Sequence, residues 1–530
     1  MVNGTINQIV NHVLNQKKPF EVRGPAGSGK TYTLVHVIQK LEKVKMNGIV
    51  LSLTNVAVGE INHRFDESFV SRAMTSHAFA WLWLKRFYRH LLLDKTIQWP
   101  QDSEWKRLIE RDVKELVFFE DFFSQTSNSQ TIDDFTEVLN PNLLLRLFGE
   151  AVRYNKKFSE KISSVIDFLF IDEYQDTDKF FVQSIVSAIS DQVVIGFFGD
   201  PLQKIYPTNG VGGLESVFEK NKVKNFPLLT NYRSNGKLLP LFNSLRPEGT
   251  SFSQDPSDEV EDGNGNIFII KSAEALTQKI FKKIEKTVQI DGTIVTLSPT
   301  NVQAFSGDKS MDLIENLRKS LNDTFDESKV TIGDLILSPE SIIPVNNLLT
   351  LIAITRDYFS YHEVRAISQL FKLGEDFWPL KKIKKCKEDL KNGDLDFIDS
   401  INVDDRIKVW LKAFLQSLTY DDMGKIYVSL IKEQVKNSMT IQKVKGLEFE
   451  NVLVNMDRGT YRGLGLSKIK LNPQTYENTK LANCMFYVSI TRAQKNIIIY
   501  VNTTKESDFY SKLISHLKEF DIVFKEIEVK

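Results

Sequence analysis

The segment with the clearest chemical potential is the octapeptide at residues 24–31, GPAGSGKT. Its glycines let successive backbone N–H groups turn toward one point, and a helix that starts there adds partial positive charge. In this pattern Lys30 reaches the terminal phosphates of a nucleotide, and the Thr31 hydroxyl binds Mg²⁺. The predicted phosphate cradle contains Gly24, Pro25, Ala26, Gly27, Ser28, Gly29, Lys30 and Thr31.

A second candidate is the carboxylate pair Asp172 and Glu173, which directly follows the apolar run at residues 166–171. A strand that ends in two carboxylates suits metal-assisted hydrolysis of a phosphoanhydride. Asp172 would hold Mg²⁺, and Glu173 would activate the attacking water. Because the pair occurs with the octapeptide, we interpret the two together as a site that hydrolyses ATP.

Short apolar runs rich in β-branched residues recur between segments with helical spacing. Strands that alternate with helices predict an α/β fold with parallel sheets covered on both faces. The predicted strands are residues 20–23, 48–53, 165–171, 193–198, 294–298, 451–456 and 496–502.

The strands fall into two sets, which predicts two α/β domains joined near residues 225–227. A mostly helical insertion interrupts each domain. The predicted boundaries are 1–79 and 162–224 for the first domain, 80–161 for its insertion, 225–305 and 437–530 for the second domain, and 306–436 for its reduced insertion.

The composition excludes several classes of protein. Lys plus Arg and Asp plus Glu both number 68, so any nucleic acid must be bound by a local groove rather than by a basic whole protein. Cys386 and Cys484 are too few for a disulfide framework or a thiolate zinc site. No leader pattern or long apolar run is present, so we expect a cytoplasmic protein without a membrane span.

The heptapeptide at residues 172–178, DEYQDTD, resembles motif II of the UvrD/Rep/PcrA helicases of superfamily 1. Other segments resemble further motifs of that family in the family's order. These segments are residues 53–57, 75–79, 199–206, 229–234, 440–449 and 487–494. The resemblance implies two RecA-like parallel-sheet motor domains of a P-loop NTPase.

The resemblance also assigns residues to the nucleotide. Gln8 would read the adenine, Gln203 would sense the γ-phosphate, Tyr232 would stack on the adenine, Glu448 would hold the ribose, and Arg233 and Arg492 would contact the γ-phosphate. An arginine supplied by an opposing domain contributes about 10³–10⁵ in rate. ATP binding would therefore close the domains, and hydrolysis would let them part.

The implied function is a helicase or translocase that uses ATP and Mg²⁺ on single-stranded DNA or tailed duplex DNA, with 3′→5′ polarity. Thr208, Ser76 and Gln442 depart from the family at positions that contact the strand. Ser76 and Thr208 favour an alternative function, a nucleic-acid-sensing ATPase that regulates a partner effector such as a nuclease. The compact second insertion resembles the helicase subunit of Gabija-type antiviral systems.

Two clusters stay open to two interpretations. Aromatic residues crowd residues 79–88, where they form either base-stacking platforms or, as we favour, a subdomain core. Five lysines form either a grip on a duplex backbone or a solvated helix face: Lys381, Lys382, Lys384, Lys385 and Lys387.

Overall fold

The computed structural model describes residues 2–65, 69–118, 135–205, 214–247, 252–260, 265–299, 388–389, 392–400, 405–416, 437–456, 466–471, 473 and 479–529. Most of the predicted second insertion lies outside these residues. So do Thr208 and the five lysines of residues 381–387.

Strands and helices alternate along most of the described chain, as the sequence predicts. The strands are β1 Phe20–Arg23, β2 Gly48–Ser52, β3 Arg72–Thr75, β4 Glu115–Phe118, β5 Thr136–Leu139, β6 Phe168–Asp172, β7 Val194–Gly199, β8 Lys224–Pro227, β9 Thr230–Asn231, β10 Asp255–Pro256, β11 Asn266–Ser272, β12 Ile294–Ser298, β13 Ser438–Thr440, β14 Phe449–Asn455, β15 Ala493–Asn502 and β16 Lys525–Val529. The helices are α1 Val2–Asn15, α2 Lys30–Lys43, α3 Asn55–His63, α4 Ser76–Leu93, α5 Glu104–Glu110, α6 Pro141–Tyr154, α7 Lys156–Ser163, α8 Lys179–Ile189, α9 Glu215–Lys220, α10 Leu239–Ser244, α11 Gln278–Val288, α12 Asp405–Gln416, α13 Leu481–Ile490 and α14 Thr503–Glu519.

The first sheet has six parallel strands in the order β3-β2-β6-β7-β1-β8. Successive side chains of a strand point to opposite faces. In β6, Phe168 and Phe170 pack against α1 and α2, whereas Leu169 and Ile171 pack on the other face with α4, α6 and α8. Burial on both faces explains why this strand reads as one continuous apolar run.

The second sheet repeats this plan with six parallel strands in the order β13-β12-β14-β15-β11-β16. Ile498 and Tyr500 of β15 face the side covered by α11, and Ile497 and Ile499 face α13 and α14. Two parallel sheets covered on both faces confirm the predicted α/β class with two RecA-like domains.

The aromatic residues of α4 belong to a hydrophobic core that α4 shares with α6, α8 and the first sheet. Phe79, Trp81 and Trp83 are buried, and Phe79 packs edge-on against Phe148 of α6 with ring centroids 5.5 Å apart. These rings have too little exposed surface to stack on bases, so the core interpretation fits the structure. The insertion also contains a parallel pair, β4 and β5, that the sequence did not predict.

Two sequence-based expectations differ from the structure. The expected junction between residues 224 and 225 falls inside β8, which pairs with β1, so the first sheet extends to Pro227. The segment at residues 253–266 is acidic and contains Pro and Gly, a composition that predicts a solvated loop, but it contains β10 and the first residue of β11. Gln254 in this segment is buried because its side chain bonds to Ala26, as described below.

Within the described ranges, no helix is both long enough and apolar enough to cross a bilayer.

Candidate nucleotide site

The phosphate loop connects β1 to α2 in a conformation that requires glycine. Gly27 and Gly29 have φ angles of 78° and 76°, in the left-handed region that L side chains rarely adopt. A Cβ on Gly27 would also lie 2.8 Å from Oδ1 of Asn231. The loop is held to the adjacent strand by Gly24, whose N–H donates to the Gly199 carbonyl at 3.0 Å.

Lys30 lies buried at the centre of this loop. Its Nζ donates to the carbonyls of Gly24 at 2.7 Å and Pro25 at 3.4 Å. Burial lowers the pKa of Lys30, although the nearby carboxylates of Glu173, Asp200 and Asp172 oppose that shift. Ser28 Oγ is buried without a hydrogen-bond partner among the described residues. A buried amine beside an unpaired hydroxyl fits a ligand with phosphate oxygens.

Asp172 and Glu173 stand at the carboxyl end of β6. Burial, and then the charge of Glu173, raises the pKa of Asp172 to about 7. Burial also disfavours the charged form of Glu173, but Lys445 and Lys30 outweigh it and lower its pKa to about 2. A divalent cation beside Asp172 would favour its charged form. Asp172 and the half-buried Thr31 are therefore the residues suited to hold Mg²⁺.

Lys445, which follows β13 of the second sheet, forms ion pairs with Asp176 and with Glu173. Its Nζ lies 3.2 Å from Glu173 Oε2. The two carboxylates raise the pKa of Lys445 against the effect of its burial. No role was predicted for this lysine from the sequence, although it lies in the segment at residues 440–449 that resembles motif V.

Gln203 lies in a short 3-10 turn, Pro201–Gln203, that follows β7. Its Nε2 donates to Asp200 Oδ2 at 3.0 Å, and its Oε1 accepts from Arg492 Nη2 at 3.3 Å. Gln203 therefore joins the end of the first sheet to an arginine of the second domain.

Arg492 is buried between the end of α13 and the start of β15. Its other hydrogen bonds go to the carbonyls of Val488 and Leu447 and to the Thr491 hydroxyl. In the part of the chain that the structure describes, no carboxylate forms an ion pair with Arg492. Burial, and then the charge of Arg233, lowers its pKa to about 9. A buried guanidinium that lacks a carboxylate fits a site for an anionic ligand.

Arg233 and Glu448, which the resemblance assigns to the γ-phosphate and the ribose, are partners of each other. Arg233 Nε lies 2.7 Å from Glu448 Oε2, and its Nη1 donates to the Thr491 carbonyl at 3.2 Å. Tyr232 is 36% exposed, and its ring lies beside Gly29, 3.7 Å from where a Cβ of that glycine would be. An exposed ring beside the phosphate loop is available for stacking.

Gln254 and Asn231 also hold the phosphate loop, and the sequence analysis missed both. Their side-chain amides donate to the Ala26 carbonyl at 3.2 and 3.1 Å, respectively. Both residues are buried, and both lie in the connection between β8 of the first sheet and β11 of the second. Asn231 belongs to the segment at residues 229–234 that resembles a family motif, whereas no local pattern distinguishes Gln254 from other glutamines.

Gln8 forms no contact in the described residues that tests its assignment. It lies on the exposed face of α1, opposite Ile6 and Ile9, and forms no hydrogen bond with the other site residues in the described ranges. Its assignment to the adenine remains a prediction.

Two threonines in segments that resemble DNA-contacting motifs cap helices. Thr54 Oγ1 accepts from Ala57 N at 3.2 Å at the start of α3, and Thr75 Oγ1 accepts from Ala78 N at 3.0 Å at the start of α4. Helix N-termini suit contacts with a phosphate backbone. Ser76, where the family has an aromatic residue, is buried and offers no stacking surface.

The fold and the site define a P-loop NTPase in which two parallel sheets meet around a phosphate loop. Residues 7–209 match the AAA domain family, and residues 156–504 match the family of the UvrD-like helicase C-terminal domain.

The chain is similar to Gabija protein GajB of Bacillus cereus strain HuB5-5, with 22% identity and coverage of 96% of each chain. It is also 22% identical to Gabija protein GajB of strain VD045, with coverage of 95% of this chain and 97% of the relative. ATP-dependent DNA helicase Rep of Buchnera aphidicola is 27% identical over 32% of this chain and 26% of its own length. The chain belongs to the UvrD-like helicase family and is a helicase-type ATPase.

Proposed function

We propose that this helicase hydrolyses Mg²⁺-bound ATP between its two sheets and uses the resulting domain movement to translocate along single-stranded DNA in the 3′→5′ direction. The observation that carries the proposal is the contact between Gln203 and the buried Arg492. It brings an unpaired cation of the second domain to within hydrogen-bond distance of the turn that follows the first sheet. The polarity rests on the family resemblance alone.

Each group has a task that its surroundings support. Mg²⁺ supplies charge that stabilises the transferring phosphoryl group. Lys30 binds the terminal phosphates by leaving the loop carbonyls that it now contacts. Glu173 orients the attacking water and accepts its proton. Arg233 and Arg492 neutralise charge that develops on the phosphoryl oxygens.

Charge repulsion between the two domains provides a physical basis for their opening and closing. The charge of Arg492 in the second domain lowers the pKa of Lys30 in the first domain, which means that the two cations repel each other. An anion between them favours the closed arrangement, and loss of that anion removes the compensation. A ligand that binds the closed state more tightly shifts the domains toward closure.

The primary test replaces Lys30 by alanine and measures ATP turnover with and without a single-stranded oligonucleotide. The parent should hydrolyse ATP faster when DNA is present, and Lys30→Ala should lose about 100-fold or more in turnover, because positive charge at the phosphate is removed. Lys43→Ala, at the exposed end of α2, is the matched control and should behave like the parent. Equal turnover by Lys30→Ala and the parent would reject the assigned site.

Direction is tested with duplexes that carry either a 3′ or a 5′ single-stranded tail. Preferential unwinding of the 3′-tailed duplex supports the proposed polarity, and preference for the 5′ tail contradicts it. Affinity for single strands should also fall steeply with salt, because each neutralised phosphate releases a counterion.

A second candidate function is a nucleic-acid-sensing ATPase that regulates a partner effector such as a nuclease. The similarity to Gabija protein GajB over 96% of both chains, together with the buried Ser76, favours it. DNA-stimulated ATP hydrolysis without unwinding of either tailed duplex by the isolated chain would support this candidate. Efficient unwinding by the isolated chain would count against it.

A further inference from the structure

We infer that Arg246 is a positioning residue for ATP hydrolysis: it fixes the Asp200 carboxylate and thereby the orientations of Gln203 and Glu173. The inference rests on the proposed function and extends it to a residue of the second domain outside the segments that resemble helicase motifs. Arg246 lies shortly after α10 and more than ten residues beyond the segment at 229–234.

Arg246 and Asp200 form a bidentate ion pair, and both side chains are fully buried. Arg246 Nη1 donates to Oδ2 and Nη2 donates to Oδ1, both at 3.0 Å. Nη1 also donates to the Tyr487 hydroxyl at 2.9 Å, and the guanidinium lies 4.9 Å from the centroid of the Phe252 ring. The fork geometry and the packing fix the carboxylate in one orientation.

Asp200 in turn fixes the turn that carries Gln203. Its Oδ1 accepts from Leu202 N at 3.2 Å, and its Oδ2 accepts from Gln203 Nε2 at 3.0 Å. The carboxylate plane held by Arg246 therefore determines where the Gln203 amide points. The other end of that amide, Oε1, is the group that meets Arg492.

The backbone of Asp200 leads to the proposed catalytic base. Its N–H donates to Gln175 Oε1 at 3.1 Å, and Gln175 Nε2 donates to the Glu173 carboxylate. Asp200 thus contacts both Gln203, the proposed γ-phosphate sensor, and Gln175, which bonds the proposed base Glu173. A shift of Asp200 would disturb both groups at once.

A buried ion pair is an inefficient way to stabilise a fold, because desolvation of both charges offsets their attraction. Apolar side chains of similar volume would serve packing equally well. Unlike apolar packing, the pair between Arg246 and Asp200 sets the orientation of the Gln203 side chain where the two domains meet.

The test compares Arg246→Gln and Arg246→Lys with Ser244→Ala in the full-length chain. Ser244 is the matched control because it lies in α10, is buried, and bonds His516 rather than the network. The measurements are kcat and KM for ATP with saturating single-stranded DNA, and the affinity for ATPγS relative to ADP.

Arg246→Gln should lower kcat about tenfold or more, change KM by less than about threefold, and reduce the preference for ATPγS over ADP, because binding by the phosphate loop persists while orientation is lost. Arg246→Lys should be intermediate because it keeps the charge without the fork. Ser244→Ala should retain kcat and the nucleotide preference. In a Gln203→Ala background, Arg246→Gln should add less than about a twofold loss, because the two residues act through one network.

Normal kcat and nucleotide preference in Arg246→Gln would overturn the inference, and so would full additivity with Gln203→Ala. If Arg246→Gln does not fold, Arg246→Lys and Tyr487→Phe carry the same comparison. Arg246→Lys keeps a cation beside Asp200 without the fork, and Tyr487→Phe removes one hydrogen bond that holds the guanidinium. A parent protein without DNA-stimulated ATP turnover would instead refute the proposed function, which keeps the two failures distinct.

Discussion

At the scale of single residues, the site contains two buried cations, Lys30 and Arg492, whose hydrogen bonds go to neutral acceptors. Arg492 has only neutral acceptors in the described part of the chain, and Lys30 bonds the carbonyls of its own loop. Both groups have a lowered pKa because burial penalises their charged forms. A bound polyphosphate would supply negative charge beside Lys30 and Arg492, so the electrostatics of the site would differ between its bound and empty states.

Replacement of Arg492 by alanine should lower kcat for ATP by about 10³-fold, in line with arginines supplied by an opposing domain. ADP affinity should change far less, because Lys30 and the loop amides remain. Arg492→Lys should recover only part of the rate, since it keeps charge without planar geometry. Steady-state turnover and ADP titration measure the two effects. Exposed Arg107 provides the control Arg107→Ala, and a kcat within fivefold of the parent for Arg492→Ala would contradict the assignment.

The ion pair between Lys445 and Glu173 has a consequence for the pH dependence of turnover. Lys445 and Lys30 hold the pKa of Glu173 at about 2, against the effect of burial. Removing Lys445 raises that pKa, so Glu173 becomes protonated at higher pH and can no longer accept a proton. In Lys445→Met the acidic limb of the kcat profile should therefore move to higher pH than in the parent. Because a pKa of about 2 keeps Glu173 of the parent charged above about pH 4, kcat profiles from about pH 4 to 8 test the shift: an acidic limb gained by Lys445→Met supports it, and profiles of the same shape refute it.

At the scale of elements, one buried acid links α5 to α6. Glu150 of α6 accepts from Ser103 Oγ at 2.7 Å and from Glu104 N at 2.9 Å, and it pairs with Arg146. The N-cap residue of α5, Ser103, makes no side-chain cap hydrogen bond. The Glu150 carboxylate therefore accepts from an N–H group at the start of α5 that has no partner within the helix.

We expect Glu150→Ala to lower the free energy of unfolding by about 2 kcal/mol, because a helix cap and buried hydrogen bonds are lost together. Glu160→Ala is the control: Glu160 pairs with Lys156 across an exposed turn of α7, so its removal should cost less than about 0.5 kcal/mol. Denaturant or thermal unfolding measures both values. Equal stability of the two variants would show that Glu150 does not organise this insertion.

At the scale of the whole molecule, the two sheets are joined by contacts between charged and polar groups. Arg246 meets Asp200, Lys445 meets Asp176 and Glu173, and Arg492 meets Gln203. These contacts surround the phosphate loop, so a ligand bound there touches residues of both halves of the chain.

A non-hydrolysable ATP analogue with Mg²⁺ should stabilise both halves of the molecule. At about 100 times its Kd the stabilisation amounts to about 2.7 kcal/mol. Hydrogen exchange should slow in the phosphate loop and also around residues 491–493 of the second domain. Protection restricted to the first domain would contradict a site shared by two sheets. ADP is the comparison ligand and should protect residues 491–493 less, because it lacks the γ-phosphate.

The sequence by itself determined the features that local chemistry encodes. The phosphate loop needs glycines in the left-handed region, and β6 needs a run of residues that are apolar on both faces before it ends at Asp172. β1 and β12 were predicted at their observed bounds, but β11 was not, although its residues 267–270 are all apolar and buried. β16 was missed because its residues Lys525–Val529 alternate between charged and apolar types and only Val529 is buried.

Only the tertiary structure decided which side chains meet. Arg246 and Asp200 are 46 residues apart, and Lys445 lies 269 residues from Asp176. Gln254 reaches Ala26 across 228 residues, from a segment whose composition suggested a solvated loop. Local propensities constrain the backbone of each element, but they do not specify which elements pack together. Contacts between distant residues arise only when the sheets, helices and connections are assembled, so the residues that join the two domains could not be found from spacing alone.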